Sequence, residues 1–131
     1  MEKPSYSEIK DIFSRHILWL EGKSGGKRAV FDYKDLSGMK LYNLIMTKMS
    51  FKGANLKGCF MAASNIEECD FTNANLQDGY MYDIDGAGAI FKGAKLQNAK
   101  LNGANLEYCN FEESDLTNTD LSNANLIGAD F

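Results

Sequence analysis

Histidine occurs once in this 131-residue chain, at position 16, and proline once, at position 4. Cysteine occurs three times, as Cys59, Cys69 and Cys109, without the close pairing that structural zinc sites use. With a single histidine to help them, these thiols read as small buried hydrophobes rather than ligands, and no metal or cofactor is expected. GxSxG, GxxxxGK[ST] and HExxH are all missing, which removes the common nucleophile, phosphate-loop and zinc-hydrolase signatures. No apolar run approaches the roughly 18–20 residues of a membrane span. The most apolar N-terminal piece, IFSRHILWL, is short and broken by Arg15 and His16, so neither a membrane nor a secretory signal is expected, and residence is expected to be cytoplasmic. Positive charge is missing from two long stretches. Between Lys57 and Lys92 stand Glu67, Glu68, Asp70, Asp78, Asp83 and Asp85 with no base; after Lys100 stand Glu107, Glu112, Glu113, Asp115, Asp120 and Asp130, again with none.

What the chain has instead is a period. Phenylalanine returns at 31, 51, 71, 91, 111 and 131, and leucine at 36, 56, 76, 96 and 116. Counting by fives from Phe31, every position is large and apolar except Gly86. Two residues before each, from Ala54 onward, sits a small residue, with Ile84 the outlier. The unit is small–polar–large–polar–polar. A period of five suits neither a helix nor a plain strand. The small and large residues share one face, as alternate strand residues do, and the polar pair, rich in Asn, Gly and Asp, suits a tight turn. Each unit is therefore expected to be a short strand and a corner. Recurrence at twenty makes four units per coil, so the chain should form a solenoid of square cross-section. About five coils at the usual strand spacing of about 4.8 Å would make a rod roughly 24 Å long. The phenylalanines would then be one stacked column of its core.

The units ANLKG, ANLQD, ANLEY, SDLTN, TDLSN and ANLIG closely match the Ala-(Asp/Asn)-Leu-x-x pattern, and over about residues 31–131 the chain resembles the pentapeptide repeat family. The resemblance implies an all-β solenoid, a right-handed quadrilateral β-helix. Lys34, Met39, Leu44 and Met49 are large for the small slot, which predicts a wider or irregular first coil. Gly86 in place of a core residue predicts a bulge or loosened corner. Residues 5–20 read as a helix: Ser5 and Glu8 have capping-box spacing, and Ile9, Ile12, Phe13, His16, Ile17 and Leu20 form an apolar stripe. It is expected to cap the first coil, with a membrane-surface or partner helix as the sharper alternative. The expected organisation is a capping helix and Gly-rich linker over 1–28 and the β-helix over 29–131.

Polar positions on a convex rod leave no cleft to desolvate a carboxylate, so binding is expected rather than catalysis. Two surfaces are candidates. One comprises the twelve acids named above. The other is an aromatic face, because projection by twenties places Phe60 with Tyr80 and Tyr42 with Tyr82 on one outer side, flanked by Lys40 and Lys100. The last coil reaches Phe131 in phase with the phenylalanine column. Leu116, Leu121, Leu126 and Phe131 are therefore expected to join a homodimer end to end. Well-known members of the family resemble DNA in shape and charge and bind DNA gyrase. The resemblance implies a DNA mimic that occupies the nucleic-acid channel of a topoisomerase, or of a bacterial defence nuclease of the CRISPR type, without binding nucleic acid itself. The alternative is an interaction scaffold that uses the aromatic face.

Overall fold

The computed structural model describes all residues, 1–131. Helix α1 spans Tyr6–Leu20. Its start follows from Ser5, whose Oγ accepts the Glu8 N–H at 3.1 Å while the Glu8 carboxylate accepts the Ser5 N–H at 3.4 Å. Two of the N-terminal donors that every helix leaves unpaired are thereby satisfied. From Val30 onward the chain pairs with itself at a fixed interval, Val30 with Ser50, Asp35 with Asn55, Lys40 with Phe60 and Ile45 with Asn65, all in parallel register. Four such pairs complete each turn of a four-sided solenoid, and the series runs without a break to Asn110 with Asp130.

The expected short strands do not form. Each side of the square is reduced to a single bridging residue between two corners, so no extended strand exists. The cause is the five-residue unit itself. After the inward large residue the chain turns at once, and the N–H three residues on closes the corner, as in Ala54 N–H to the Phe51 carbonyl at 3.1 Å. The second corner residue is left-handed throughout, for example Asn73, Asp78 and Asn98 with φ of 58°, 59° and 61°. Asn, Asp and Gly tolerate that conformation best, which accounts for their abundance here.

One signal in the repeat went unread in the sequence. The Asn or Asp of the A(N/D)L unit points outward at the bridging position, and its side-chain oxygen accepts the N–H two residues on. Asn75 does so for Gln77 at 3.0 Å, Asp70 for Thr72 at 2.9 Å and Asn125 for Ile127 at 3.1 Å. The second letter of the repeat is thus a cap on the following corner.

Inside, the phenylalanines stack in one column. Ring centroids from Phe51 to Phe111 are 5.1 Å apart at each step and within 4° of parallel. Phe13 of α1 lies tilted at 48° beneath Phe31, 5.7 Å away, and closes the column from below. Ile9 and His16 of the same helix are buried, so α1 covers the first turn of the solenoid. Glu2 extends that cover by pairing with Lys34, through both the backbone and an ion pair at 2.9 Å.

Of the two expected irregularities, one is confined to a single corner and the other is absent. The first turn keeps the regular ladder: Met49 is fully buried in its small slot, while Met39 and Leu44 pack partly buried against the core. The departure is confined to Leu44, whose N–H goes to the Ser64 hydroxyl at 3.0 Å. Nor does Gly86 loosen its corner. Its N–H meets the Asn105 carbonyl at 2.8 Å and its carbonyl closes the turn with Ala89 at 3.0 Å. Ile84, two residues earlier on the same inward face, is buried in the slot that is small in every other unit from Ala54 onward. The unit exchanges its large and small residues instead of bulging.

Candidate binding surfaces

Four outward columns follow from the pairing, and the third reads Lys40, Phe60, Tyr80, Lys100 and Asp120. Phe60 and Tyr80 stack with centroids 4.7 Å apart and planes within 3°. The corner that follows carries Tyr42, Ala62 and Tyr82 at equivalent positions, and Tyr42, Asn43, Phe60, Ala62, Ala63 and Tyr82 line one groove of about 350 Å³. The structure therefore brings Tyr42, Phe60 and Tyr82 together, with Tyr80 stacked behind Phe60. All four rings are between 36% and 54% exposed, which leaves their faces available. Neither Lys40 nor Lys100 has a carboxylate within ion-pair distance; the ion pairs of the rod involve other lysines.

The twelve acids are distributed differently. In the twenty-residue register Glu67, Glu68 and Glu107 share one corner, between the sides carrying Asp85 and Asp70. Glu112 and Glu113 sit at the next corner, Asp78 at another and Asp83 beside the aromatic groove. They wrap the rod instead of lining one face. Several also serve the fold. Asp70, Asp115 and Asp120 each accept a backbone N–H and a hydroxyl from the corner beyond, and these bonds, to Thr117 and Ser122, hold Asp115 and Asp120 below the usual carboxylate pKa. Glu68 faces Lys48 and Glu112 faces Lys92, each at 3.8 Å. Glu67, Asp85 and Glu107 accept from Asn65, Asn105 and Asn125. Asp78, Asp83, Glu113 and Asp130 are exposed and make no such bond or ion pair.

At the far end Leu116, Leu121 and Leu126 are half-buried, and Phe131, stacked on Phe111 at 5.2 Å, is 61% exposed. Sequence reasoning missed two further exposed rings on the solenoid, Tyr33 and Tyr108, each lying over a glycine one turn on, Gly53 and Gly128. The signal was the tyrosine–glycine recurrence at twenty residues. The cysteines are buried, with burial pushing each thiol pKa up to about 12. No helix is long and apolar enough to cross a membrane.

A family model of pentapeptide repeats, in eight copies, matches residues 64–103 and 94–131. Among solved structures, the chain is similar to a trypsin-treated form of QnrB1, a plasmid-mediated fluoroquinolone resistance protein, at 17% identity and a TM-score of 0.65, over 79% of this chain and 58% of that one. It is similar to a pentapeptide repeat protein of the Arabidopsis thaliana thylakoid lumen at 28% identity and a TM-score of 0.58, over 74% and 64%. It is also similar to Rfr23 of the cyanobacterium Cyanothece 51142 at 23% identity and a TM-score of 0.53, over 93% and 94%. The chain thus spans less than two thirds of the first two structures, and at the identities of QnrB1 and Rfr23 the likeness is one of fold alone. No curated protein matches. With more than half of its residues inside the family match, the chain belongs to the pentapeptide repeat family, whose members are right-handed quadrilateral β-helices.

Proposed function

We propose that this protein is a non-enzymatic binding module that mimics a short DNA duplex toward a protein that normally binds nucleic acid. DNA gyrase or another topoisomerase, or a CRISPR-type defence nuclease, is the class of target in this reading. Pentapeptide repeat proteins are in general non-enzymatic structural and binding modules. The observation that carries the mimic is a rod of even rise from Phe51 to Phe111, bearing acids on successive corners across two stretches of sequence with no base. A negative field of that kind attracts the basic channels that hold nucleic acid, and repels nucleic acid itself. The protein acts in the cytoplasm in this reading. Two copies, meeting through Leu116, Leu121, Leu126 and Phe131, would span about 50 Å, comparable to roughly 14 base-pair steps.

The test is capture from bacterial lysate on the immobilised protein, with and without excess duplex DNA. Captured DNA-binding enzymes that duplex DNA and high salt release support the mimic. Replacing the four acids whose side chains make no hydrogen bond or ion pair by their amides (Asp78→Asn, Asp83→Asn, Glu113→Gln, Asp130→Asn) should weaken that capture while the rod stays folded. Capture indifferent to DNA and to these changes would end the reading.

A second reading is favoured by the aromatic groove. Here the protein is an interaction scaffold, and Phe60→Asp abolishes partner binding without unfolding the rod, because Phe60 is outside the core. Binding that survives Phe60→Asp would count against it.

A further inference from the structure

Rings twenty residues apart in this rod stack at about one turn's rise, 5.1 Å along most of the inner phenylalanine column and 4.7 Å between Phe60 and Tyr80 outside. The corner column Tyr42, Ala62, Tyr82 follows the same register with its middle ring missing. Two turns at about 4.8 Å put the tyrosines roughly 9.6 Å apart, so a planar ring between them would lie at ordinary stacking distance from both. The gap is not filled from within. Both corner residues of the intervening turn, Ala62 and Ala63, end in methyl groups, and with Phe60 they line the groove between the tyrosines.

Charge narrows the occupant. Lys40 lies beside the groove, not in its lining: its backbone pairs with Phe60, which does line it, and its ammonium has no carboxylate within ion-pair distance. Asp83, at the same corner as Tyr82, has its carboxylate over Gly103 in the following turn. A guanidinium would stack on tyrosine as well as an aromatic ring does, but here it would meet an unpaired lysine. A ring with a carboxylate beside it meets that lysine favourably. We propose that the gap between Tyr42 and Tyr82 receives one aromatic side chain of a partner protein, with a neighbouring carboxylate of that partner held by Lys40. The inference rests on the second functional reading and names the chemistry of its partner.

The smallest probe with both groups is N-acetyltryptophan. Titrated to about 10 mM into the full chain, it should shift the ring resonances of Tyr42 and Tyr82 together in aromatic NMR spectra, with millimolar saturation. N-acetyltryptophanamide, which lacks the carboxylate, should bind roughly threefold more weakly, and Lys40→Gln should erase that difference. Ala62→Phe should complete the stack with the chain's own ring and weaken binding by at least about tenfold. Position 62 accepts the change, because Tyr42 and Tyr82 already occupy its equivalents. If Ala62→Phe perturbs the fold, Tyr82→Ala tests the same point. The proposal is overturned if neither tyrosine shifts, if Ala62→Phe and Tyr82→Ala bind as wild type does, or if N-acetylargininamide binds more tightly than N-acetyltryptophan. Because the probe needs no natural partner, failure here is distinct from failure of the scaffold reading, which Phe60→Asp decides in the capture experiment.

Discussion

His16 Nδ1 accepts the backbone N–H of Ala29 at 2.9 Å, and this bond fastens α1 to the first turn of the solenoid. The opposite nitrogen, Nε2, donates to the Thr47 carbonyl at 2.7 Å. With Nδ1 accepting and Nε2 donating, the buried ring is neutral. Burial first, and the nearby Arg28 cation, hold its pKa below 6.5, against the upward pull of the Thr47 carbonyl. The unfolded chain therefore takes up the proton first as pH falls. Stability should be level above about pH 6.5 and decline below it, by up to roughly 1.4 kcal/mol per pH unit until the folded-state pKa is reached. Urea unfolding at a series of pH values reads this directly. His16→Ala should remove the slope in that window and cost about 2–4 kcal/mol at pH 7.5, since it leaves a cavity and unpairs a buried N–H. A slope unchanged in the variant would mean that another group titrates there.

Tyr33 and Gly53 give a second test. Gly53 is left-handed at φ 61°, and a Cβ there would enter the Tyr33 ring; Gly58, at φ 67°, has open space around it. Gly58→Ala should cost only the conformational term, about 1 kcal/mol. Gly53→Ala should cost about 0.5–1 kcal/mol more, the value of displacing the tyrosine ring. In a Tyr33→Ala background the two substitutions should become equal. Thermal unfolding of the four variants checks it, and a difference that persists without Tyr33 would show the ring to be irrelevant.

The twenty-residue recurrence of Phe31 through Phe131 was enough to read four sides per turn and a stacked column, because only a fixed register repeats one residue type at that interval. The capping box at Ser5 and Glu8 was equally plain, since it is a local code. Strand content was misread. Alternation of Ala74 and Leu76 says only that both face inward, and does not say how soon the chain turns afterward. Glu2 pairing with Lys34 could not be seen, because it depends on where α1 returns the N-terminus in space. The aromatic groove was legible as a column, but the acids were legible only as a count. That Asp70, Asp115 and Asp120 cap corners becomes clear once the N–H two residues on is seen to lack any other partner.

The three thiols should be inert in the folded protein. Cys69 Sγ donates to the Met46 carbonyl at 2.9 Å and Cys109 Sγ to the Gly86 carbonyl at 3.0 Å, and Cys59 is fully buried. A pKa of about 12 leaves little thiolate at pH 8, and the thiolate is the reactive form. A disulfide reagent should label none of them in native buffer and all three in denaturant. Rapid labelling of any one in native buffer would show the rod to open locally at that turn.

Ile84 and Gly86 invite the last experiment, because each is wrong for its slot alone and right for the other. Ile84→Ala should open a cavity in the core and cost about 2–4 kcal/mol. Gly86→Leu should overpack, since even a Cβ at position 86 would lie 3.3 Å from the Asn105 carbonyl oxygen and 3.4 Å from Ile66 and Leu106 side-chain carbons; a cost of about 1–3 kcal/mol follows. Together the two changes rebuild the small–polar–large unit found on every other side from Ala54 onward. The double variant should then recover to within about 1 kcal/mol of wild type, a coupling that neighbouring residues sharing one volume can supply. Urea unfolding of both singles and the double closes the cycle. If the two costs simply add, Ile84 does not occupy the space that Gly86 leaves. The exchange would then be two independent defects, tolerated by the ladders on either side.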